Sequence, residues 1–177
     1  MKQNTKNPGD VILVGNAHSL IGSNEGQRID SFPNVVRFNG GRPRGNERSV
    51  GSKTTHWAFN TKIQSRYKGW VIPSAIPMLL NYKMDRGGDY SYFNGGCIRN
   101  DYNTYEALRT AYNHGRPSIG LMTAHFIDTK WECDIYAIGF DFFNSGSWPY
   151  EDFSCPINPH NGDMEREHMK SLGVVML

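Results

Sequence analysis

The sequence predicts an α/β fold, a single Rossmann-like domain over residues 1–177 with a mostly parallel, twisted sheet flanked by helices. Three observations predict it. VILVG (11–15) is a continuous apolar run with β-branched content, the pattern of a strand buried on both faces. Other short apolar runs, NVVRFN (34–39), HWAFN (56–60) and DIYAIGFDFF (134–143), follow along the chain. Segments with helical spacing separate the later runs, and alternating strand and helix signals build parallel sheets.

Each element has a local reason. After VILVG the chain enters glycines, an asparagine and serines, GNAHSLIGSNEG, and then a short polar helix. A turn leaving the carboxyl end of a parallel strand exposes backbone N–H groups that suit a phosphate. The spacing fits neither GxGxxG nor GxxxxGK[ST], so phosphate binding and a plain strand-to-helix connection both stay open. GWVIP (69–73) reads as a fourth strand. Asn16, Asn39 and Asn60 stand at or beside the ends of three strands. An asparagine there satisfies turn backbone groups, but three amides at one sheet edge can also read a base, a ribose or a phosphate.

The stretch from about 85 to 101 is rich in Gly, Tyr and Asn without a clear pattern, and suits a lid or acceptor loop. YNTYEALRTAYN (102–113) has helical spacing, and PSIGLMTAHFIDTK (117–130) reads as a buried helix with proline at its start. MEREHMKSL (164–172) reads as a short helix capped by Asp163 with Glu165 in its first turn.

Composition narrows the function classes. Lys and Arg number 19 against 17 Asp and Glu, a formal charge of +2, with a basic concentration at Arg37, Arg42, Arg44, Arg48 and Lys53. That suits a small anionic ligand and not a nucleic acid, whose phosphate lattice asks for a denser basic face. No apolar run approaches the roughly 20 residues of a membrane helix, and the polar start MKQNTKNPGD has no signal-peptide core. Cys97, Cys133 and Cys155 form an odd count at spacings that match no metal site. The expectation is a soluble cytoplasmic protein without an integral membrane segment.

Four segments read together carry a family resemblance. VGNAHSLIGSNEGQRIDSFPNVVRFNGGRPRGNERSVGSKTTHWAF resembles the large sialylmotif of the family 29 sialyltransferases. RPSIGLMTAHFIDTKWECDIYAIGF is similar to their small sialylmotif, and HNGDME matches their last motif, His, four residues, Glu. GFDFFNSGSWPYEDF also resembles a loop of the bacterial family 42 sialyltransferases. The resemblance implies a GT-A-like sialyltransferase variant that is metal-independent and uses no cofactor. Its substrates would be a CMP-sugar donor and a glycan or glycolipid acceptor.

By position, the resemblance places Asn16 and Ser19 against phosphate and ribose, and Asn39 and Asn60 on the cytidine half and leaving phosphate. It sets Ser118 and Gly120 at the small-motif turn against the CMP donor, with Arg116 beside them for an anion. Gly51, Ser52 and Thr54 fall in the large motif, where they contact donor or shape the loop. His160 is the expected general base, since a neutral imidazole can take the acceptor hydroxyl's proton. Glu165 is the expected second catalytic-site residue, orienting that segment. His56 is expected to be structural. In the family's third motif a histidine contacts the leaving phosphate; WPYE (148–151) lacks it, and Tyr150 is the expected substitute. Val11 stands near the family's large-motif cysteine, so the disulfide to the small-motif region, near Cys133, cannot form. That absence points to a bacterial or viral cytoplasmic protein. Three functions stay open: an inverting transferase of sialic acid or a related acidic keto sugar, a CMP-sugar-binding module without turnover, and a CMP-sugar hydrolase.

Overall fold

The computed structural model describes residues 9–59, 74–80, 97–113, 115–145 and 160–177. Its centre is a seven-stranded sheet in the order β5-β4-β3-β2-β1-β6-β7, and every pairing is parallel. The strands are β1 (Val11–Val14), β2 (Asn34–Phe38), β3 (His56–Ala58), β4 (Ile76–Leu79), β5 (Ile98–Arg99), β6 (Ile135–Ile138) and β7 (Val175–Met176). β1 is buried along its whole length between β2 and β6, as the unbroken apolar run VILV requires.

Side chains of β1 alternate between two cores. Val11 and Leu13 join the larger one, with Val36 and Phe38 of β2 and residues of three helices. These helices are α3 (Tyr102–Ala111), α4 (Ile119–Lys130) and α5 (Gly162–Ser171). Ile12 and Val14 face the smaller core, closed by Ile29 of α1 (Gly26–Ser31) and Val50 of α2 (Glu47–Val50). The sheet is therefore sandwiched between helical layers. From β1 the chain winds out through β2 to β5, then returns to β6 on the other side. The carboxyl ends of β1 and β6 thus form a topological switch point, where open α/β sheets bind ligands.

Several expectations shift by a residue or an element. GWVIP lies outside the described residues, and the fourth described strand is Ile76–Leu79, containing Pro77. Pro117 stands one residue ahead of the cap of α4, Ser118, whose Oγ accepts from the Leu121 N–H at 3.2 Å. Asn161, not Asp163, caps α5, accepting from the Met164 N–H at 3.1 Å. Among the described residues no helix is long and apolar enough to cross a membrane.

Arg37 departs furthest from its expected place in an anion-binding cluster. Alone among the basic group it is fully buried, inside β2. Its Nη2 donates to the carbonyls of Val50 (2.7 Å) and Gly51 (3.0 Å), and its Nε to the Lys53 carbonyl and Thr54 Oγ1. Asp30 grips the same loop from outside, accepting from the N–H groups of Ser52 and Lys53 at 2.9 Å and from the Ser52 hydroxyl. Burial pushes the Arg37 pKa down to about 10, with Asp30 opposing, so it stays charged at neutral pH. Gly51, Ser52 and Thr54 are thus held as a shaped loop, carbonyls by a guanidinium and amides by a carboxylate. Arg37→Met leaves several buried carbonyls unpaired at about 1–3 kcal/mol each. It should cost roughly 3–5 kcal/mol in urea denaturation, as breaking a buried charge network does. A loss under 1 kcal/mol would mean the loop does not depend on it.

Candidate functional site

At the switch point, Asn16 follows β1. Its Nδ2 donates to the Phe38 carbonyl at 3.2 Å, while its Oδ1 is buried and accepts no hydrogen bond among the described residues. A Cβ on Gly41 would lie 2.3 Å from that oxygen, so the β2 loop can pass only as glycine. Ser19 is exposed in the single helical turn His18–Leu20. Asn39, at the end of β2, has a left-handed backbone (φ 47°), its N–H donating to the Ala58 carbonyl and its carbonyl accepting from Trp57 Nε1 at 2.7 Å. Asn60 and Tyr150 lie outside the described residues.

Phe38 meets Phe140, beyond β6, edge-on at 5.7 Å between ring centroids. Phe140 in turn lies against Gly120, where a Cβ would come within 2.6 Å of its ring. Gly120 therefore lets the first turn of α4 approach the carboxyl edge of the sheet. Ser118 caps that turn, and its hydroxyl is committed on both sides. It accepts from Leu121 N–H and donates to Glu165 Oε2 at 2.5 Å, while the Ser118 N–H donates to Glu165 Oε1 at 2.7 Å. The N–H groups of Ile119 and Gly120 have no intrahelical acceptor and remain at the helix N-terminus.

Glu165 is only 2% exposed. Burial raises its pKa to about 7, the two Ser118 donors pulling the other way. It ties the first turn of α5 to the cap of α4. Just before α5 stands His160, whose Nδ1 lies 2.7 Å from the Arg116 carbonyl. A carbonyl only accepts, so Nδ1 carries the proton and Nε2 the lone pair of the neutral ring. Glu165 Oε1 is 4.0 Å from Nδ1, too far to compete for that proton. Burial holds the His160 pKa below its ordinary 6.5, and the nearby Arg116 charge lowers it further, while the bond to the Arg116 carbonyl acts the other way. The Arg116 side chain itself is exposed.

Two contributors carry no signature in the sequence. Tyr112, buried at the end of α3, donates its hydroxyl to the Asn161 carbonyl at 2.9 Å and accepts from the Asn161 N–H at 3.2 Å, fixing the peptide next to His160. Phe143 stacks on the His160 ring, centroids 5.2 Å apart and planes 21° apart. Phe142 and Phe143 both have left-handed backbones, φ 56° and 71°, a conformation costing about 1–2 kcal/mol per non-glycine residue. His56 is buried, its pKa lowered to about 4 by desolvation, with Nδ1 2.9 Å from Thr55 Oγ1 and its ring beside Trp131. Cys133 forms no disulfide, and burial pushes its thiol up to about 11.

Comparison with known proteins gives these features relatives. Residues 3–85 match the family described as glycosyltransferase family 29 (sialyltransferase). The chain is 34% identical over 172 residues to human alpha-N-acetylgalactosaminide alpha-2,6-sialyltransferase 2, covering 93% of this chain and 42% of that protein. To chicken beta-galactoside alpha-2,6-sialyltransferase 2 it is 39% identical over 68 residues, 38% of this chain and 13% of the relative. It therefore spans less than half the length of these relatives. A crystal structure of a mammalian sialyltransferase in complex with Gal-beta-1-3GalNAc-ortho-nitrophenol superposes with a TM-score of 0.67 at 20% identity, covering 95% of this chain and 68% of that one. The seven-stranded parallel sheet flanked by helices is the fold of that structure.

Glu165 makes stability depend on pH. Its folded pKa of about 7 exceeds the ordinary 4.5, so between these values the folded chain keeps a proton the unfolded chain releases. The contribution is complete below pH 4.5 and lost as pH rises through 7. Relative to Glu165→Gln, the wild type should lose on the order of 1–3 kcal/mol between pH 4.5 and 8 in urea denaturation. Parallel curves for the two proteins would contradict the shift.

Proposed function

The chain belongs to glycosyltransferase family 29, and we propose that its carboxyl-edge crevice transfers sialic acid, or a related acidic keto sugar, from a CMP donor to a glycan hydroxyl. The reaction inverts the anomeric carbon and uses no metal. The observation that carries this reading is His160: its Nδ1 proton is committed to the Arg116 carbonyl, which makes Nε2 the basic nitrogen of a ring held beside the α4 N-terminus. The acceptor oxygen attacks the anomeric carbon and gives its proton to Nε2. The bond from that carbon to the CMP phosphate breaks, and its electron pair leaves on the phosphate oxygen.

The N–H groups of Ile119 and Gly120 and the positive end of α4 suit that departing phosphate. Arg116 adds charge, and Tyr150, by the sequence resemblance, adds a hydroxyl. Asn16 and Ser19 from the β1 turn face the phosphate and ribose, while Asn39 and Asn60 take the cytidine half and the leaving phosphate. An unsatisfied buried acceptor on Asn16 costs free energy that a ligand donor can recover after a small side-chain movement. Glu165 and Ser118 act as positioning residues, because their polar atoms are spent on each other.

His160→Ala should lower transfer by about 10²-fold or more while CMP affinity stays nearly constant, measured by initial rates and calorimetry. The wild-type rate should fall as pH drops through the His160 pKa, which burial sets below 6.5, because the protonated ring cannot accept. Near wild-type transfer by His160→Ala would end the base assignment. Release of free sialic acid without acceptor would mark a hydrolase, and CMP-sialate binding without either product a binding module.

CMP should bind equally well in excess chelator, since the crevice offers amides, hydroxyls and backbone N–H groups. Loss of binding on chelation would overturn the metal-free reading. Asn39→Ala and Asn60→Ala should each weaken CMP by roughly 1–3 kcal/mol. Unchanged affinity in both would return them to a structural role.

A further inference from the structure

The loop after β6 holds a phenylalanine in an unusual place. Asp141 gathers the turn, its carboxylate accepting from the N–H groups of Phe143 (3.0 Å) and Ser145 (2.6 Å). The turn is pinned to the start of α5, where a Cβ on Gly162 would lie 2.2 Å from the Phe142 carbonyl. The Arg166 guanidinium sits 4.9 Å above the Phe142 ring. Held so, the backbone passes through the left-handed region at two successive phenylalanines, which L side chains adopt only where their surroundings impose it. The consequence is that Phe143 turns outward, 43% exposed, with its ring on the imidazole of His160.

We propose that Phe143 is a positioning residue for His160, covering one face of the imidazole so that the ring keeps its plane and stays neutral and partly dry. This rests on the proposed role of His160 as base. The tautomer is already fixed by the Arg116 carbonyl, and the peptide after the ring by Tyr112. These hydrogen bonds act at the edge of the ring and on the backbone beside it, whereas Phe143 lies against the face of the ring. Stacking has two opposed effects on protonation: an aromatic face attracts an imidazolium, whereas removing water penalises it. Burial is the leading cause that holds the His160 pKa below its ordinary value, and the Phe143 ring stacked on the imidazole is part of what covers it, so the proposal takes the loss of water as the larger effect. The charged groups facing the ring among the described residues are Arg116, which also disfavours the proton, and Glu165, whose oxygens are held by Ser118.

The test follows the His160 ring itself by NMR in protein carrying labelled histidine, in the wild type, Phe143→Leu and Phe143→Gly. The glycine variant accepts the left-handed backbone without strain, so it removes the ring and not the turn. In both variants the His160 titration should move up toward that of an ordinary histidine. The acid limb of the transfer rate should follow, giving a severalfold loss near pH 6, little loss near pH 8 and unchanged CMP affinity. Phe143→Tyr should restore the wild-type titration. An unmoved His160 titration in both Phe143→Leu and Phe143→Gly overturns the proposal, whatever happens to the rate. The base assignment fails separately, through full activity of His160→Ala.

Discussion

A buried carboxylate holding the cap of a neighbouring helix is the constraint on which the site depends. Glu165 is almost wholly removed from water, which is costly for a carboxylate unless it is well hydrogen-bonded. The Ser118 N–H and hydroxyl supply that compensation. In return the start of α5 is fixed against the start of α4. His160 and Asn161, immediately before α5, can then reach the Arg116 carbonyl and the Tyr112 hydroxyl. Three helices on one face of the sheet thus converge at its carboxyl edge through polar contacts, while their lengths are joined by an apolar core.

The opposite face uses the same device. Arg37 and Asp30 hold the loop after α2 by its carbonyls and its amides, so a segment with little apolar content keeps one shape between α2 and β3. Both devices place a charged side chain where apolar packing would have been simpler, and both fix backbone near the β1–β2 half or the α4–α5 half of the fold. The two halves meet through Asn16, Phe38, Phe140 and Gly120, which touch in sequence across the switch point.

Much of this was legible in the residues. The run VILV could only be a central strand, and the helical stretch from Ser118 to Lys130 is apolar on nearly every side. β5 and β7, two residues each, are too short to show any period. β4 is obscured by Pro77, which the sequence alone reads as a breaker. The cap of α5 was misplaced because Asn161 and Asp163 are both good caps two residues apart. Arg37 looked like part of a basic surface, although its place between Val36 and Phe38 in a strand buried along its length was a signal that it points inward. His160 and Glu165 were readable as a spaced pair. Tyr112 and Phe143 were not, because Tyr112 acts across 49 positions and Phe143 acts through a backbone shape no local pattern announces.

The proposed donor site lies at the switch point, between the β1 turn and the N-terminus of α4. Amide NMR mapping during titration with CMP tests it most directly. Saturable shifts should concentrate at Gly15 to Ser19, Asn39 to Gly41 and Ser118 to Gly120, with His160 at the edge of the affected set. Shifts confined to other surfaces, with these amides unmoved at saturation, would contradict it.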